Sequence, residues 1–357
     1  AFPIVICIVT LHANYLLEMA ILRVSPEAFL NLQEAGSIVD VRSPSEYIHA
    51  HIPGAINVPL FSDAVRAEIG TLYTKVGREQ AIARGFKDLN GRLESLRNAL
   101  LSQAASGAVR IHCWRGGMRS ESVAWLVERS GCVPYLLEGG YKNYRHSVLS
   151  QFAQPYELLV LSGMTGAGKT EVLLELQKLG EQVIDLEGLA HHKGSAFGWL
   201  GEEPQPSTEQ FENELAYQLR ALSPKRRLWL EDESKNIGKV LIPTGLYKQM
   251  SCAPRIVLET EPQARLERLL RVYTHYAPEE LVACVEKIRK RLGGDKANEC
   301  IQLILTGALA PAIELVLAYY DKQYRYGITS KNTEYQIIRP ESSVPREIAL
   351  QLLDALK

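Results

Sequence analysis

Tyr156-Glu-Leu-Leu-Val-Leu161-Ser-Gly163-Met-Thr-Gly-Ala-Gly-Lys169-Thr170 decides the fold of the C-terminal half. From Gly163 onward it fits the phosphate-binding loop pattern G-x-x-x-x-G-K-[ST]. The context makes the match specific, because an apolar strand runs into the loop and a helical pattern, 170–179, leaves it. Backbone N–H groups of such a loop cradle phosphate oxygens, and the lysine sits between them. Gly163, Gly166, Gly168, Lys169 and Thr170 are therefore expected to hold a phosphate or diphosphate, with Thr170 in reach of a bound Mg2+. An ordinary Gly-rich turn is the competing reading, and the flanking strand and helix weigh against it. Further strands are expected at 182–185, 227–231 and 255–259, with a mainly helical pattern from 261 onward. Strands alternating with helices imply a parallel sheet.

Upstream, His112-Cys113-Trp-Arg-Gly-Gly-Met-Arg119-Ser120 follows a short strand, 109–112, and precedes a helix, 120–130. A strand, a Gly-containing loop and a helix aim backbone N–H groups at the sulfur, and Arg115 and Arg119 add positive charge. A thiolate held this way can attack an electrophilic sulfur, selenium or phosphorus atom. A buried structural cysteine is the alternative, and the flanking Arg, Gly and Ser residues favour the reactive one. Around this loop, Ser25-Pro26 opens a helix that Gly36 closes, 37–41 and 133–137 read as strands, and 78–105 reads as helical. A polar stretch, 147–155, marks the boundary between two α/β units.

Bulk properties bound the function classes. The chain has 357 residues, 46% hydrophobic and 23% charged, with a net charge of −1, which suits two or three soluble domains and excludes a uniformly cationic protein. Its six cysteines show no CxxC or paired spacing, which argues against a disulfide framework or a zinc site and for a reducing, cytoplasmic setting. Residues 1–17 carry no Asp, Glu, Lys or Arg but lack signal-peptide features, and His12 and Asn14 interrupt the run short of a membrane span. Residues 1–18 are read as an over-extended, non-native start, leaving domains at 19–148 and 155–357.

Three further clusters bear on chemistry. Asp185, His192, Lys193 and Ser195 fall in an eleven-residue stretch without amphipathic period, read as a ligand-facing loop. Adjacent histidines point in different directions and no cysteine is spaced to help, so no metal site is assigned there. Glu231, Asp232 and Glu233 end a strand and are candidates to organise a metal or water, against the reading of a solvated turn. Arg265, Arg268 and Arg271 share a helical spacing, and Arg289, Lys290 and Arg291 follow. These form either a surface for a nucleic-acid phosphate backbone or a solvated face balanced by Glu259, Glu261 and Glu267. Tyrosines 273, 276, 319, 320 and 324 are stacking surfaces or core.

Asp40-Val-Arg42-Ser-Pro-Ser-Glu46-Tyr47-Ile-His-Ala50-His51-Ile-Pro-Gly54-Ala-Ile-Asn57-Val-Pro59, with Leu137-Glu-Gly-Gly140, resembles the signatures of rhodanese domains. The resemblance implies that Asp40 and Arg42 brace the sheet; Ala50 stands where that family usually has Gly. The loop from Cys113 to Arg119 is one residue longer than in ordinary rhodaneses and has the Cys-x5-Arg spacing of cysteine phosphatases. A phosphatase normally uses a general acid, and the sequence offers no assignable one.

From Met19 to the end the chain resembles the tRNA 2-selenouridine synthase family. The resemblance rests on the Cys113–Ser120 and Gly163–Thr170 stretches, on 185–198, on Gln205-Pro206 with Phe211-Glu-Asn213, and on Glu231-Asp-Glu-Ser234 with Ile237-Gly238. Lys193 stands where the family tends to have Arg, which keeps the charge and loses the bidentate fork. The resemblance implies a rhodanese-like parallel-sheet domain followed by a P-loop NTPase-like α/β domain with a helical C-terminal part. It implies an enzyme that replaces sulfur by selenium in wobble 2-thiouridine of tRNA through an S-geranyl intermediate. Geranyl diphosphate and selenophosphate would be co-substrates, Cys113 would carry selenium, and a selenophosphate-producing enzyme would be the donor partner. No tightly bound cofactor and no membrane association are expected, with Mg2+ as a candidate ion. Two alternatives remain at this stage: a sulfurtransferase fused to a nucleotide-dependent kinase or ATPase, and a Cys-x5-Arg phosphatase.

Overall fold

The computed structural model describes the backbone of residues 21–104, 107–330 and 334–356, so the reading of residues 1–18 lies outside the described residues. The chain divides into two compact units between Val148 and Leu149.

In the first unit the elements run β1 (Leu22–Val24), α1 (Pro26–Asn31), β2 (Ile38–Asp40), α2 (Pro44–His49), β3 (Ile56–Asn57), α3 (Asp63–Lys75), α4 (Arg78–Leu89), α5 (Leu93–Leu101), β4 (Ala108–His112), α6 (Met118–Glu128), β5 (Val133–Leu137) and α7 (Gly140–Gln151). Ser25 caps α1 by accepting from the Ala28 N–H, with Pro26 at its first turn. That helix ends at Asn31 rather than Gly36: a short 3-10 turn, Gln33–Ala35, intervenes, and Gly36 closes the turn at φ 73°. Asn90 and Gly91 split the long helical stretch into α4 and α5. The 147–155 stretch is not a plain linker, because α7 continues through it to Gln151.

The sheet order is β1-β5-β4-β2-β3, every pair parallel, so the strand that delivers Cys113 is central. Val39, Ile111, Leu136 and Val123 form the core between this sheet and its helices. Parallel strands buried on both faces read as short apolar runs without alternation, which is why 109–112 and 133–137 were legible.

The second unit continues with β6 (Leu158–Gly163), α8 (Lys169–Lys178), β7 (Gln182–Ile184), α9 (Leu186–Ala190), α10 (Thr208–Arg220), β8 (Leu228–Glu231), β9 (Asn236–Ile237), β10 (Val240–Leu241), α11 (Thr244–Cys252), β11 (Arg255–Leu258), α12 (Pro262–Tyr273), α13 (Pro278–Leu292), α14 (Gly294–Leu305), α15 (Leu309–Ser330), β12 (Tyr335–Ile338) and α16 (Pro345–Asp354). Its main sheet is also parallel, in the order β12-β11-β6-β8-β7, and again the central strand feeds the functional loop. The edge strand β12 lies beyond the helical region and was not expected. Leu161, Trp229 and Ile256 anchor this core against α8 and α16. Helices α13 to α15 build a second apolar cluster around Cys284, Ile288 and Cys300. Among the described residues no helix is long and apolar enough to cross a membrane.

Candidate functional sites

In the first unit, Cys113 stands where β4 ends. It is 2% exposed, and its Sγ lies 3.2 Å from the Ser120 hydroxyl and 3.9 Å from the Gly117 carbonyl. The loop is gripped from behind. The Tyr141 and Lys142 N–H groups at the start of α7 donate to the Cys113 and Trp114 carbonyls at 2.8 and 2.9 Å, and Arg23 donates to the Gly116 carbonyl at 3.1 Å. In a trans peptide the N–H points opposite to the C=O, so the N–H groups of Trp114, Arg115 and Gly117 face the other side, where an oxyanion can be held. Among the described residues none of these three donates to a backbone carbonyl outside helices and strands. Gly140 is required here: a Cβ would come within 2.4 Å of the Gly116 nitrogen and 2.5 Å of the Cys113 carbonyl.

Arg119 enters the loop's surroundings from α6 and pairs with Glu46 at 3.0 Å. Glu46 also closes the N-terminus of α2 through the Ser43 N–H. Burial would raise the Glu46 carboxyl, but Arg119 and the Ser43 N–H hold it below its ordinary value. Arg115 is exposed.

Beneath the loop, Arg42 Nη2 meets Asp40 at 2.6 Å, donates to the Ala50 carbonyl at 2.7 Å, and its guanidinium lies 3.9 Å over the Tyr141 ring. Burial opposes ionisation of Asp40, yet His112 and Arg42 hold it below the ordinary carboxylate value. Burial also pushes His112 down to about 4, so the imidazole is neutral at physiological pH. These three residues brace the loop's base, as the resemblance implied for Asp40 and Arg42.

In the second unit the phosphate loop is gripped in the same manner. Arg265 Nε donates to the Thr165 carbonyl at 2.8 Å, Arg268 to the Gly166 carbonyl at 2.8 Å, and the Thr260 hydroxyl to the Ala167 carbonyl at 3.3 Å. The N–H groups of Gly166 and Gly168 therefore face away from α12. Gly168, at φ 86°, starts α8, whose N-terminus favours an anion. Arg265 and Arg268 thus overturn the expectation of a tRNA-facing helix side. They are 2% and 7% exposed, and they also pair with Asp321 and Glu171 at 2.5 and 3.0 Å. Their guanidiniums are committed to the loop and are not available to a nucleic-acid backbone. Arg271, Lys290 and Arg291 remain exposed, and Arg289 pairs with Glu286.

Facing Lys169 and Thr170 is a carboxylate cluster. The Thr170 hydroxyl donates to Glu231 at 2.6 Å and lies 3.3 Å from Glu187. Carboxylate oxygens of Glu187, Glu231 and Glu233 lie within 4.8 Å of one another. Burial and then mutual repulsion push Glu187 and Glu231 up to about 8; burial pushes Glu233 to about 7 against the pull of Lys169. Burial would lower Lys169, but Glu231, Glu187 and Glu233 raise it above its ordinary value. One Glu231 oxygen, Oε2, is buried without a hydrogen-bond partner. Hard oxygen donors with an unmet lone pair suit a divalent cation such as Mg2+.

The sequence reading placed Glu231 and Glu233 in one acidic strand end and Glu187 in the 185–195 stretch, without joining the three into one cluster. Asp232 turns the other way, accepting from the Ser162 hydroxyl at 2.6 Å, and so supports the strand rather than the cluster. The 185–195 stretch is not an open loop throughout. Asp185 caps the short helix α9 through the Gly188 N–H at 2.7 Å, and Lys193 pairs with Glu202 at 2.8 Å. His192 Nδ1 is buried, and burial lowers the imidazole. Ser195 lines the pocket beside the phosphate loop.

Beside the phosphate loop opens an apolar pocket of about 470 Å³ including its mouth. Thr165 of the loop, Ser195, Leu269 and Tyr273 line it, and it extends to Cys300 and Ala312. Cys300 Sγ lies 3.6 Å from the Ala312 carbonyl, and both residues are fully or almost fully buried, so they close that end.

Comparison with known proteins places both units. The family described as tRNA 2-selenouridine synthase AAA domain matches residues 156–349, and the rhodanese-like domain family matches residues 25–147. A tRNA 2-selenouridine synthase of Shewanella loihica is 37% identical over 332 residues, covering 82% of this chain and 87% of the relative. That of Shewanella denitrificans is 35% identical over 336 residues, covering 84% and 90%. A solved N-terminal domain of a Clostridium difficile 630 protein described as ATP/GTP binding is 38% identical over 35% of this chain and 98% of its own, with a TM-score of 0.34. With the cysteine loop on one parallel sheet, the phosphate loop on the other and relatives matched along most of their length, the chain belongs to the tRNA 2-selenouridine synthase family.

Proposed function

We propose that the protein converts wobble 2-thiouridine of tRNA to 2-selenouridine in two steps, one on each unit. The observation that carries this reading is the apolar pocket beside the phosphate loop. A nucleotide would leave the hydrogen-bonding groups of its base unmet against such walls, whereas a prenyl diphosphate suits both halves. Geranyl diphosphate would lay its diphosphate on Lys169, Thr170 and the Gly166 and Gly168 N–H groups, with its hydrocarbon in the pocket. The thiocarbonyl sulfur of the base attacks the prenyl C1, the C–O bond breaks, diphosphate leaves with the bonding pair, and the base gives up its N3 proton. Mg2+ held by Glu187, Glu231, Glu233 and Thr170 would neutralise the leaving diphosphate. Alkylation turns sulfur into a leaving group at C2, and a selenium nucleophile then displaces geranylthiol.

Selenophosphate, made by a separate enzyme, supplies that selenium at the Cys113 loop, whose N–H groups and Arg119 suit its tetrahedral oxyanion. Among the basic residues, Arg271, Lys290 and Arg291 are the exposed candidates for the tRNA backbone.

Nucleoside mass spectrometry of 2-thiouridine tRNA incubated with the protein and both co-substrates tests this. Wild type should yield selenouridine, Cys113→Ala should stop at the geranylated base, and Lys169→Ala should lose geranylation by roughly 10²–10³-fold. Geranylation undiminished in Lys169→Ala would break the assignment of the donor to this loop. Ala312→Leu, which fills the closed end of the pocket, should shift preference toward a five-carbon donor.

A further inference from the structure

Granted that the second unit alkylates the thiocarbonyl sulfur, as proposed above, one residue beside its phosphate loop can recognise the ring that bears this sulfur. We propose that the Tyr324 hydroxyl oxygen accepts the N3–H of 2-thiouracil, setting the C2 sulfur against the prenyl C1 and selecting uracil over cytosine.

Helix α15 turns one face to the apolar pocket, through Leu309, Ala312, Ile313, Val316, Leu317 and Tyr320. Tyr324 is the next residue on that spacing, one turn or about 6 Å further along the axis. By then the face has reached the phosphate loop. Asp321 pairs with Arg265, which holds the Thr165 carbonyl, and the Tyr324 hydroxyl lies 2.9 Å from that of Ser162, the residue before Gly163. Burial raises the Tyr324 phenol above its ordinary value, while the Ser162 bond and the charge of Lys169 pull it down. A donor with its hydrocarbon in the pocket and its diphosphate on Lys169 has its reacting carbon between the two, within a turn of Tyr324.

The direction of the hydrogen bonds decides what Tyr324 can offer. Ser162 is fully buried, and its one hydroxyl proton goes to Asp232 at 2.6 Å. Ser162 therefore accepts from Tyr324, and the phenolic proton is committed to that bond. The phenol oxygen keeps its acceptor capacity, and among the described residues no group donates to it. Tyr320, one turn back, differs, because its oxygen already accepts from the Ala196 N–H at 3.0 Å. An acceptor with no proton to give fits the N3–H of 2-thiouracil, next to the sulfur-bearing carbon. It opposes 2-thiocytosine, which carries the same sulfur but whose N3 is itself an acceptor. Positive charge grows on the N3–H as sulfur takes the prenyl group, so this bond strengthens toward the transition state. Tyr324 takes no proton itself; the N3 proton leaves to solvent once the C–S bond has formed.

The test uses the full chain, geranyl diphosphate and a pair of anticodon stem-loop RNAs that differ only in carrying 2-thiouridine or 2-thiocytidine at the wobble position. Wild type should alkylate the first faster by roughly a hundredfold or more. Tyr324→Phe should lower kcat on 2-thiouridine about tenfold with KM little changed, and narrow the preference by a similar factor. Ser162→Ala frees the phenolic proton to turn toward N3 and should raise the 2-thiocytidine rate. A preference unaltered in Tyr324→Phe, even at a lower rate, would make Tyr324 a structural residue and overturn the proposal. Equal rates on both RNAs in wild type would do the same. Calorimetry with geranyl diphosphate checks that each variant still binds the donor. If Tyr324→Phe does not, Ser162→Ala carries the test, and an unchanged 2-thiocytidine rate sinks the proposal. Alkylation of neither RNA by wild type would bring down the reading of the second unit itself, and this contact with it.

Discussion

Asp40, Arg42 and His112 in the first unit and Lys169, Glu187, Glu231 and Glu233 in the second are both charge clusters beside a group-transfer loop, the first buried throughout and the second with Glu231 buried and its neighbours half-buried. They are balanced in opposite ways. The first is closed in charge: Asp40 and Arg42 neutralise one another through several bonds, and His112 stays neutral, although both its ring nitrogens are buried without a hydrogen-bond partner. The second is open: three carboxyls face one ammonium, repel one another and leave an oxygen unpartnered. A closed cluster stabilises the fold that carries a site, whereas an open one gives up stability until a ligand completes it. Charge balance and burial both separate scaffold from site here.

Cutting each cluster at one residue should give the largest contrast. Asp40→Asn leaves Arg42 buried and uncompensated and is expected to cost about 3–5 kcal/mol in urea unfolding. Glu233→Gln should cost far less or stabilise the cation-free protein, because it removes one of three repelling charges. Equal losses in the two variants would erase the distinction.

A second contrast lies in pH. His112, at about 4 when folded against an ordinary 6.5, binds its proton more readily when unfolded. The first unit should therefore hold its stability above about pH 6.5 and lose roughly 3 kcal/mol by pH 4. Asp40, depressed in the fold, adds to the loss at lower pH still. The raised carboxyls of the second unit work the other way, with stability fullest below their unfolded value of 4.5 and lost as pH climbs through about 7 and 8. Hydrogen exchange followed separately on peptides from the two sheets across pH 5–8 should show slopes of opposite sign. The smallest effect is the most specific: Mg2+ binding should release on the order of one proton at pH 7. Calorimetry in two buffers of different ionisation enthalpy would read it, and uptake without release would argue against the carboxylates as ligands.

Both functional loops were legible in the sequence because each is local, fixed by spacing within a strand–loop–helix unit. What escaped was whatever depends on elements brought together from afar. Glu187 and Glu233 fall in two separate stretches of sequence, and only the pairing of β7 with β8 brings them together opposite Thr170. Arg265 and Arg268 share a helical face, but period alone does not say whether that face meets water or a loop. A third residue at the same spacing, Arg271, does meet water. Strand β12 follows a long helix, and only its pairing with β11 makes it a strand of the sheet. The helix 63–75 also went unread, and among its residues none is buried.

The grip on the phosphate loop has a consequence for how the protein is made. Arg265 and Arg268 lie 100 and 102 positions after the carbonyls they hold. At ~5–20 residues per second of synthesis, the loop emerges from the ribosome about 5–20 s before its clamps do. A nascent chain therefore carries the full phosphate-loop sequence with its peptide planes unset until the helix that aims them has been translated.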